Sequence, residues 1–364
     1  MKFRCERDTL FEALSSASRA VSSRSGALAV LSGIKLTLEG DQLTIVGSDL
    51  DLTISVSVDV GGDEDGVTVL PSRLLVDIVR ALGAGAITLE STDGDMRITA
   101  ARSEFTVRSY PPDEYPALVE PPTEGISIPA SSLTEALRQV VPAASKDDSR
   151  PILTGVLLAT EGDALRLVAT DSYRLSVRDV TESAVLGEDQ TVLIPSRALT
   201  EVARLLDDEG EVTLGLTERD ASFRIGTTTV VTRLIEGEFP NYRGLIPDHH
   251  PNRMTVNRLE LLDAVRRVRL LAQETTPVRL TMSSDGLDLK AITQDVGEAS
   301  ETIDGIYDGE ELTVAFNPEY LIDGTDAASG DEVVLETVDA LKPALIRTPE
   351  EPGFLYLLMP VRVS

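Results

Sequence analysis

Apolar residues recur along this chain with two periods. In LTIVGSDLDLTISVSV (43–58), Leu, Ile and Val alternate with Thr, Ser and Asp, which predicts strands with one buried face. ITLES (87–91), MRITAA (96–101) and EFTVRS (104–109) carry the same alternation, and Gly-Asp and Asp-Gly turns join such runs. A helical period marks 7–21, 131–141 and 257–272. In the last of these, Leu259, Leu262, Val265 and Leu270 fall near one face. A second set of helices is predicted at 72–82, 196–206 and 317–328. Pro71-Ser72 and Pro195-Ser196 open the first two, with the serines expected as N-caps.

These elements recur as a unit. VLSGIKLTLEGDQLTIVGSD (30–49) aligns without gaps on ILTGVLLATEGDALRLVATD (152–171) at an offset of 122, with 9 of 20 positions identical. VLPSRLLVDIVRALG (69–83) matches LIPSRALTEVARLLD (193–207), and DEYP (113–116) matches GEFP (237–240), both at an offset of 124. Separate matches at nearly one offset define a long repeat. A fainter third copy carries VRLTMSSDGLDLKAIT (278–293), with VAFNPEYLIDGTDAA (314–328) in the place of the Pro-Ser-Arg segments. The expected domains are 1–122, 123–247 and 248–364. The Pro-rich joins YPPDEYPALVEPPTEG (110–125) and FPNYRGLIPDHHPN (239–252) lie between them. Each domain reads as α+β, two helices packed on antiparallel sheets. Three such domains suggest an arc, and an arc that dimerises by a 180° rotation closes into a six-domain ring.

Composition adds a charge asymmetry. Net charge is −28 in 364 residues, which argues against holding nucleic acid by bulk attraction. The segments 7–24, 72–82, 131–150, 196–206, 257–272 and 317–328, which hold the six predicted helices, nevertheless sum to +2, leaving −30 on the rest of the chain. A ring whose helices face a DNA hole needs this distribution, although ordinary surface arginines also produce it. No apolar run approaches the ~20 residues of a membrane span, and MKFRCERDTL shows no signal-peptide pattern. The single thiol, Cys5, fits a reducing, cytoplasmic setting.

MKF at the start, ATDSYRL (169–175), IPSR (194–197), GEFPNYRGLIP (237–247), FNPEYL (316–321) and YLLMPVRV (356–363) together resemble the bacterial sliding-clamp family, the beta subunits of DNA polymerase III. The resemblance implies a DNA clamp: a homodimeric ring around duplex DNA that tethers the replicative polymerase as a processivity factor. It implies no enzymatic activity, no cofactor and no metal. A clamp loader opens the ring, and partners insert a short peptide into one pocket per chain. Carried over by position, that pocket comprises Leu153, Thr170, Ser172, Tyr173, Arg174, Leu175, Pro240, Leu245 and Pro343, with Leu357, Leu358, Met359, Pro360, Val361 and Arg362. Thr170 and Arg174 are expected to orient the peptide. The DNA-facing positions are Arg24, Arg73, Lys146, Asp147, Arg150 and Arg197, and Asp147 is a poor phosphate contact. The dimer interface matches Phe105, Val107, Leu270 and Leu271, for which core packing is the plainer reading. The chain departs from the family at Ser172-Tyr173, where Gly-His is frequent, at Gly244, where a second Arg is frequent, and in its Val363-Ser364 ending.

An enzyme would need catalysts that the sequence does not offer. The only histidines, His249 and His250, sit together in a Pro-rich join, and no GxxxxGK[ST], GxSxG or HExxH motif is present. DLD (49–51) and DGD (93–95) are fragments of calcium loops without the remaining spacing. A three-repeat intracellular scaffold without DNA encirclement is the alternative. It gives no reason for the helix charge asymmetry or for the apolar FLYLLMPV (354–361). Within VATDSYRLSV (168–177), Asp171, Tyr173 and Arg174 suggest a base, an acid and an anion clamp. Asp171, however, has a counterpart in Asp49 of the first repeat, which points to a fold role such as capping a turn and leaves Ser172-Tyr173-Arg174 as the specialised part.

Overall fold

The alternating runs form strands and the 3.6-period runs form helices, in the same order in each repeat. The computed structural model describes all residues except 22–27, 93, 182–185, 188–189, 208, 248, 273–275 and 363–364. The first repeat runs β1 (Lys2–Glu6), α1 (Arg7–Ser18), β2 (Gly33–Glu39), β3 (Gln42–Ser48), β4 (Leu52–Asp59), β5 (Gly61–Glu64), β6 (Gly66–Pro71), α2 (Ser72–Ala81), β7 (Ala86–Thr92), β8 (Asp95–Ala100) and β9 (Ser103–Arg108). The second runs β10 (Ile126–Pro129), α3 (Ala130–Val140), β11 (Gly155–Glu161), β12 (Ala164–Thr170), β13 (Arg174–Val180), β14 (Thr191–Pro195), α4 (Ser196–Leu205), β15 (Glu211–Leu216), β16 (Asp220–Ile225) and β17 (Thr228–Arg233). The third runs β18 (Asn252–Asn257), α5 (Arg258–Val268), β19 (Val278–Ser283), β20 (Gly286–Thr293), β21 (Gly297–Ile303), β22 (Gly305–Asp308), β23 (Leu312–Phe316), α6 (Pro318–Ala327), β24 (Glu332–Thr337), β25 (Ala344–Arg347) and β26 (Phe354–Leu358).

Two compact units result, Met1–Ala130 with Glu201–Leu234, and Ser131–Thr200 with Ile235–Ser364. Each contains one long sheet that crosses a repeat boundary. In the first unit an eight-stranded sheet runs β10-β15-β16-β17-β4-β3-β2-β6, so β17 of the second repeat pairs with β4 of the first. In the second unit a nine-stranded sheet runs β14-β11-β12-β13-β26-β25-β24-β18-β22, and β26 of the third repeat pairs with β13 of the second. A five-stranded sheet β5-β1-β7-β8-β9 completes the first unit and a four-stranded sheet β21-β20-β19-β23 the second.

Helix α1 shows how the core is built. Leu10, Ala13, Leu14 and Ala17 are buried at helical spacing, and full burial of a leucine contributes ~1.5–3 kcal/mol. The helix approaches β3 so closely that a Cβ on Gly47 would lie 2.0 Å from the carbonyl oxygen of Ala17. Asn257 and Asn317 cap α5 and α6 by accepting two backbone N–H groups each. The expected cap at Ser72 is not found. Pro71 occupies the N-cap position of α2, and Ser72 is buried inside the first turn.

Candidate functional site

The turn between β12 and β13 is set by Asp171. Its Oδ1 accepts the backbone N–H of Tyr173 at 2.9 Å and of Arg174 at 3.0 Å. Asp49 accepts Asp51 and Leu52 N–H at 3.2 and 2.8 Å in the first repeat. The residue after each aspartate, Ser172 or Leu50, is left-handed, with φ of 83° and 78°. A non-glycine residue is uncommon there and persists only where its surroundings fix it. Both aspartates therefore build one turn, and the turn is part of the repeat.

The second repeat builds a wall on this turn. Arg174 is buried, and its Nε donates to Asp171 Oδ2 at 3.0 Å. Its Nη1 donates to Asp323 on α6 and lies 3.3 Å from the Tyr356 hydroxyl. The guanidinium also sits over the Tyr320 ring, 4.5 Å from its centroid, and Tyr320 stacks on Tyr173 at 6.5 Å. Burial raises the Tyr356 phenol above its ordinary range and keeps it a neutral hydrogen-bonding group. Thr170 donates to the Arg174 carbonyl at 2.7 Å and accepts Ser172 N–H at 3.2 Å. Thr170 Oγ1 and the Nε and Nη1 of Arg174, expected to orient a peptide, thus make bonds within the chain. They hold the wall in place. Tyr320, Asp323 and Tyr356 are members of it that the sequence reading missed, because only the fold brings α6 and β26 to this turn.

Below the wall lies an apolar floor. Leu175 and Leu357 face each other across β13 and β26, and Val177 and Leu355 follow two rungs on. They pack with Val168, Leu345 and Tyr242, and Phe239 and Ile246 lie against them. Leu153, Leu357 and Leu358 are buried. The accessible part of the predicted pocket is Ser172, Tyr173, Pro240, Leu245, Met359 and Arg362, with Pro343, Pro360 and Val361 half-buried. Tyr173 is 58% exposed. Val361 N–H donates to Ala315 O at 2.8 Å, which fixes the chain beyond β26. The same face continues into a cavity of about 320 Å³ lined by Val177, Leu355, Tyr242, Arg166 and Asp179. Arg166 holds Asp179 through two 2.7 Å bonds there. The surface over this floor is mixed: Tyr173, Pro240, Leu245 and Met359 are apolar and accessible, and Arg166, Asp179, Arg243 and Arg347 line the cavity, a setting in which apolar side chains can be buried beside polar groups that orient them.

Other predicted positions are dispersed. Arg73 and Arg197 occupy the second positions of α2 and α4, and Arg73 is 97% exposed. Arg150 donates to Asp147 at 2.8 Å and to Ser172 at 3.3 Å. Asp147 also accepts Ser149 N–H and Oγ–H, so its carboxylate shapes the loop and lies below the usual carboxylate range. Lys146 is exposed on that loop. Arg24 lies outside the described residues. Phe105 is 37% exposed and Leu270 82%, whereas Val107 is buried within its own unit. Among the described residues no cluster of His, Cys, Asp or Glu could hold a metal ion, and no helix is long and apolar enough to cross a membrane.

A three-repeat α+β chain with two sheets shared between repeats has the architecture of a clamp subunit. Family models for the DNA polymerase III beta subunit match along it: the N-terminal domain at residues 1–119, the central domain at 127–241 and the C-terminal domain at 243–362. It is 34% identical over 377 residues to the beta sliding clamp of Streptomyces coelicolor, covering 100% of both chains. Identity to the beta sliding clamp of Bacillus subtilis is 33%, covering 82% of this chain and 81% of that one. The crystal structure of the Bacillus subtilis DNA polymerase sliding clamp superposes with a TM-score of 0.92 at 32% identity over 100% of both chains. A sliding clamp from Bartonella birtlesii bound to griselimycin superposes with a TM-score of 0.94 at 31% identity, again over 100% of both. The chain belongs to the DNA polymerase III beta subunit family. Its function is that of a processivity clamp in DNA replication.

Proposed function

We propose that two copies of this chain close head to tail into a ring around duplex DNA, and that the groove on β13 and β26 takes the peptide tails of polymerase, clamp loader and other partners. The proposed domains are 1–122, 123–247 and 248–364. The observation that carries the ring is a missing joint. The last strand of one repeat pairs with a fixed strand of the preceding repeat twice within the chain, as β17 on β4 and as β26 on β13. The equivalent strands left over are β9 and β21. Both are sheet edges, and no strand among the described residues pairs with their outer sides. Five of the six β9 residues are exposed, whereas Val230, Val231 and Thr232 of the equivalent β17 are buried. Pairing β9 of one copy with β21 of the next removes both edges.

The interior joints also supply the register. Val230 faces Ile54 and Tyr356 faces Ser176. The equivalent rung places Phe105 of one copy on Ala299 of the other, beside Leu271, whose Cδ1 lies 3.6 Å from a Cβ built on Gly297. Leu270 stands on the same turn. The rung is of the closer, non-hydrogen-bonded type. The experiment is therefore a disulfide between Phe105→Cys and Ala299→Cys in one chain. Oxidation should yield a covalently closed dimer. Absence of the crosslink in a dimeric protein would overturn the pairing.

Arg73, Lys146, Arg150 and Arg197 are proposed as phosphate contacts that carry no sequence information, with Arg24 as a further candidate. The clamp is proposed to be cytoplasmic and without catalytic activity of its own. The groove is supported by its apolar floor. Two or three buried apolar anchors, at ~1.5–3 kcal/mol each, reach roughly micromolar affinity after ordering costs, which suits partners that must exchange.

A further inference from the structure

The apolar floor and a run of ion pairs beside it occur together in one repeat. Where β13 and β26 carry the rungs Leu175–Leu357 and Val177–Leu355, the equivalent rungs of β4 and β17 are Thr53–Val231 and Ser55–Thr229. Beside the apolar rungs, Arg166 on β12 faces Asp179 on β13 and holds it through two 2.7 Å bonds. Arg166 Nη1 also lies 3.3 Å from Glu161 at the end of β11. Glu161 in turn accepts from both Nη groups of Arg243, one of them at 2.9 Å. At offsets of 122 and 124, the first repeat keeps the glutamate as Glu39. It has Thr44, Ser57 and Val119 in place of Arg166, Asp179 and Arg243.

We infer that the charged run Asp179–Arg166–Glu161–Arg243 positions the rim of the peptide groove; this rests on the groove reading proposed above. Arg243 opens the short turn Arg243–Leu245. Its neighbours belong to the groove: Tyr242 packs on the apolar floor, and Pro240 and Leu245 are accessible rim positions. The cavity of about 320 Å³ is lined by Tyr242, Arg243 and Ile246 from this segment and by Arg166, Val177, Asp179 and Leu355 from the sheet. Where space takes the place of side-chain contact, the ion pairs hold segment to sheet.

Exposed ion pairs usually contribute little, but bidentate guanidinium–carboxylate pairs within a network are the exception. Arg166 and Asp179 anchor this one, since both side chains are about four-fifths buried. Arg243 holds the Glu161 carboxyl below the usual carboxylate range, which keeps the outer pair ionised. Arg243 is thus a positioning residue, acting on a peptide through Pro240 and Leu245.

A rim held in place is already in its binding form. Releasing it lowers the competent fraction, which slows association and leaves the dissociation of bound peptide nearly unchanged. Loss of a direct contact between Arg243 and the peptide would instead speed dissociation.

The test is a double-variant cycle in the full chain. A fluorescent, uncharged peptide with Leu and Phe anchors is followed by stopped-flow anisotropy. Glu161→Gln and Arg243→Gln should each slow association about fivefold. The double variant should be no more than about twofold slower than either, because both changes break one link. Arg243→Lys keeps the charge without the fork and should fall between parent and Arg243→Gln. Glu39→Gln, the counterpart in the first repeat, should leave both rates within about twofold. The two single variants change the net charge in opposite senses, so long-range steering would move their association rates in opposite directions. Opposite effects, additive losses in the double variant, a change confined to dissociation, or single variants without effect would each overturn the inference. Peptide binding by the parent chain separates the two failures. If the parent binds and the cycle shows no coupling, the rim inference alone falls; if the parent does not bind, the groove reading falls with it.

Discussion

Replacing Asp171 by alanine should cost far more than replacing Asp49, although both make the same turn. In each copy the carboxylate accepts two backbone N–H groups. Loss of such a cap costs ~1 kcal/mol, and this is the share expected from the two turn bonds of half-buried Asp49 in Asp49→Ala. Asp171 also holds Arg174 at 3.0 Å, and both side chains are about nine-tenths buried. Removing one partner of a buried ion pair costs ~3–5 kcal/mol. Asp323 and the Tyr356 hydroxyl still contact the guanidinium, so ~3 kcal/mol is expected for Asp171→Ala. The ~2 kcal/mol difference is measurable as a shift in urea midpoint at unchanged slope, followed by far-UV circular dichroism. Equal shifts for the two variants would refute the view that the second copy of the turn is an anchored wall. Asp171→Ala should also weaken peptide binding, because the wall carries Tyr173 through Tyr320.

Further outcomes follow from the groove, the sheets and one histidine. Tyr173→Ala or Met359→Ala should lower the affinity of a fluorescent peptide with Leu and Phe anchors about three- to tenfold in anisotropy titrations; unchanged affinity for both would remove the accessible rim from the site. Burial holds the His250 imidazole below its ordinary range, outweighing Glu336 at 3.8 Å. A base whose folded value is depressed contributes stability that is full above about pH 6.5 and declines as pH falls through the folded value. The melting temperature should accordingly drop on acidification below pH 6.5, less so in His250→Gln, and a parallel drop in the variant contradicts the assignment. The isolated segment 123–247 exposes the edges of β13 and β17 that β26 and β4 cover in the chain. It should self-associate in light scattering at micromolar concentration, and a monodisperse monomer would contradict the role of shared sheets.

Much of this was legible in the sequence because the repeat doubles each signal. The offset of 122 located the Asp49–Asp171 turn before any contact was known, and the alternating runs located the strands. What was not legible depends on long-range placement. Pro71 rather than Ser72 occupies the N-cap position of α2, since the local pattern does not tell a cap from a first helical residue. Arg174 reads as an available cation in ATDSYRL, yet Asp323, 149 residues away, occupies it. The sharing of sheets between repeats was equally hidden, because alternation specifies a strand's faces and not its neighbour. Only the two interior joints in the structure give a reason to propose Phe105 and Ala299 as partners.

Topological retention on DNA tests the central claim most directly. The dimer, loaded by a clamp loader onto a nicked circle, should remain bound through gel filtration at high salt, where weak phosphate contacts are lost. Linearising the circle should release it through the free ends. Retention on the linear form, or loss from the closed circle, would contradict encirclement.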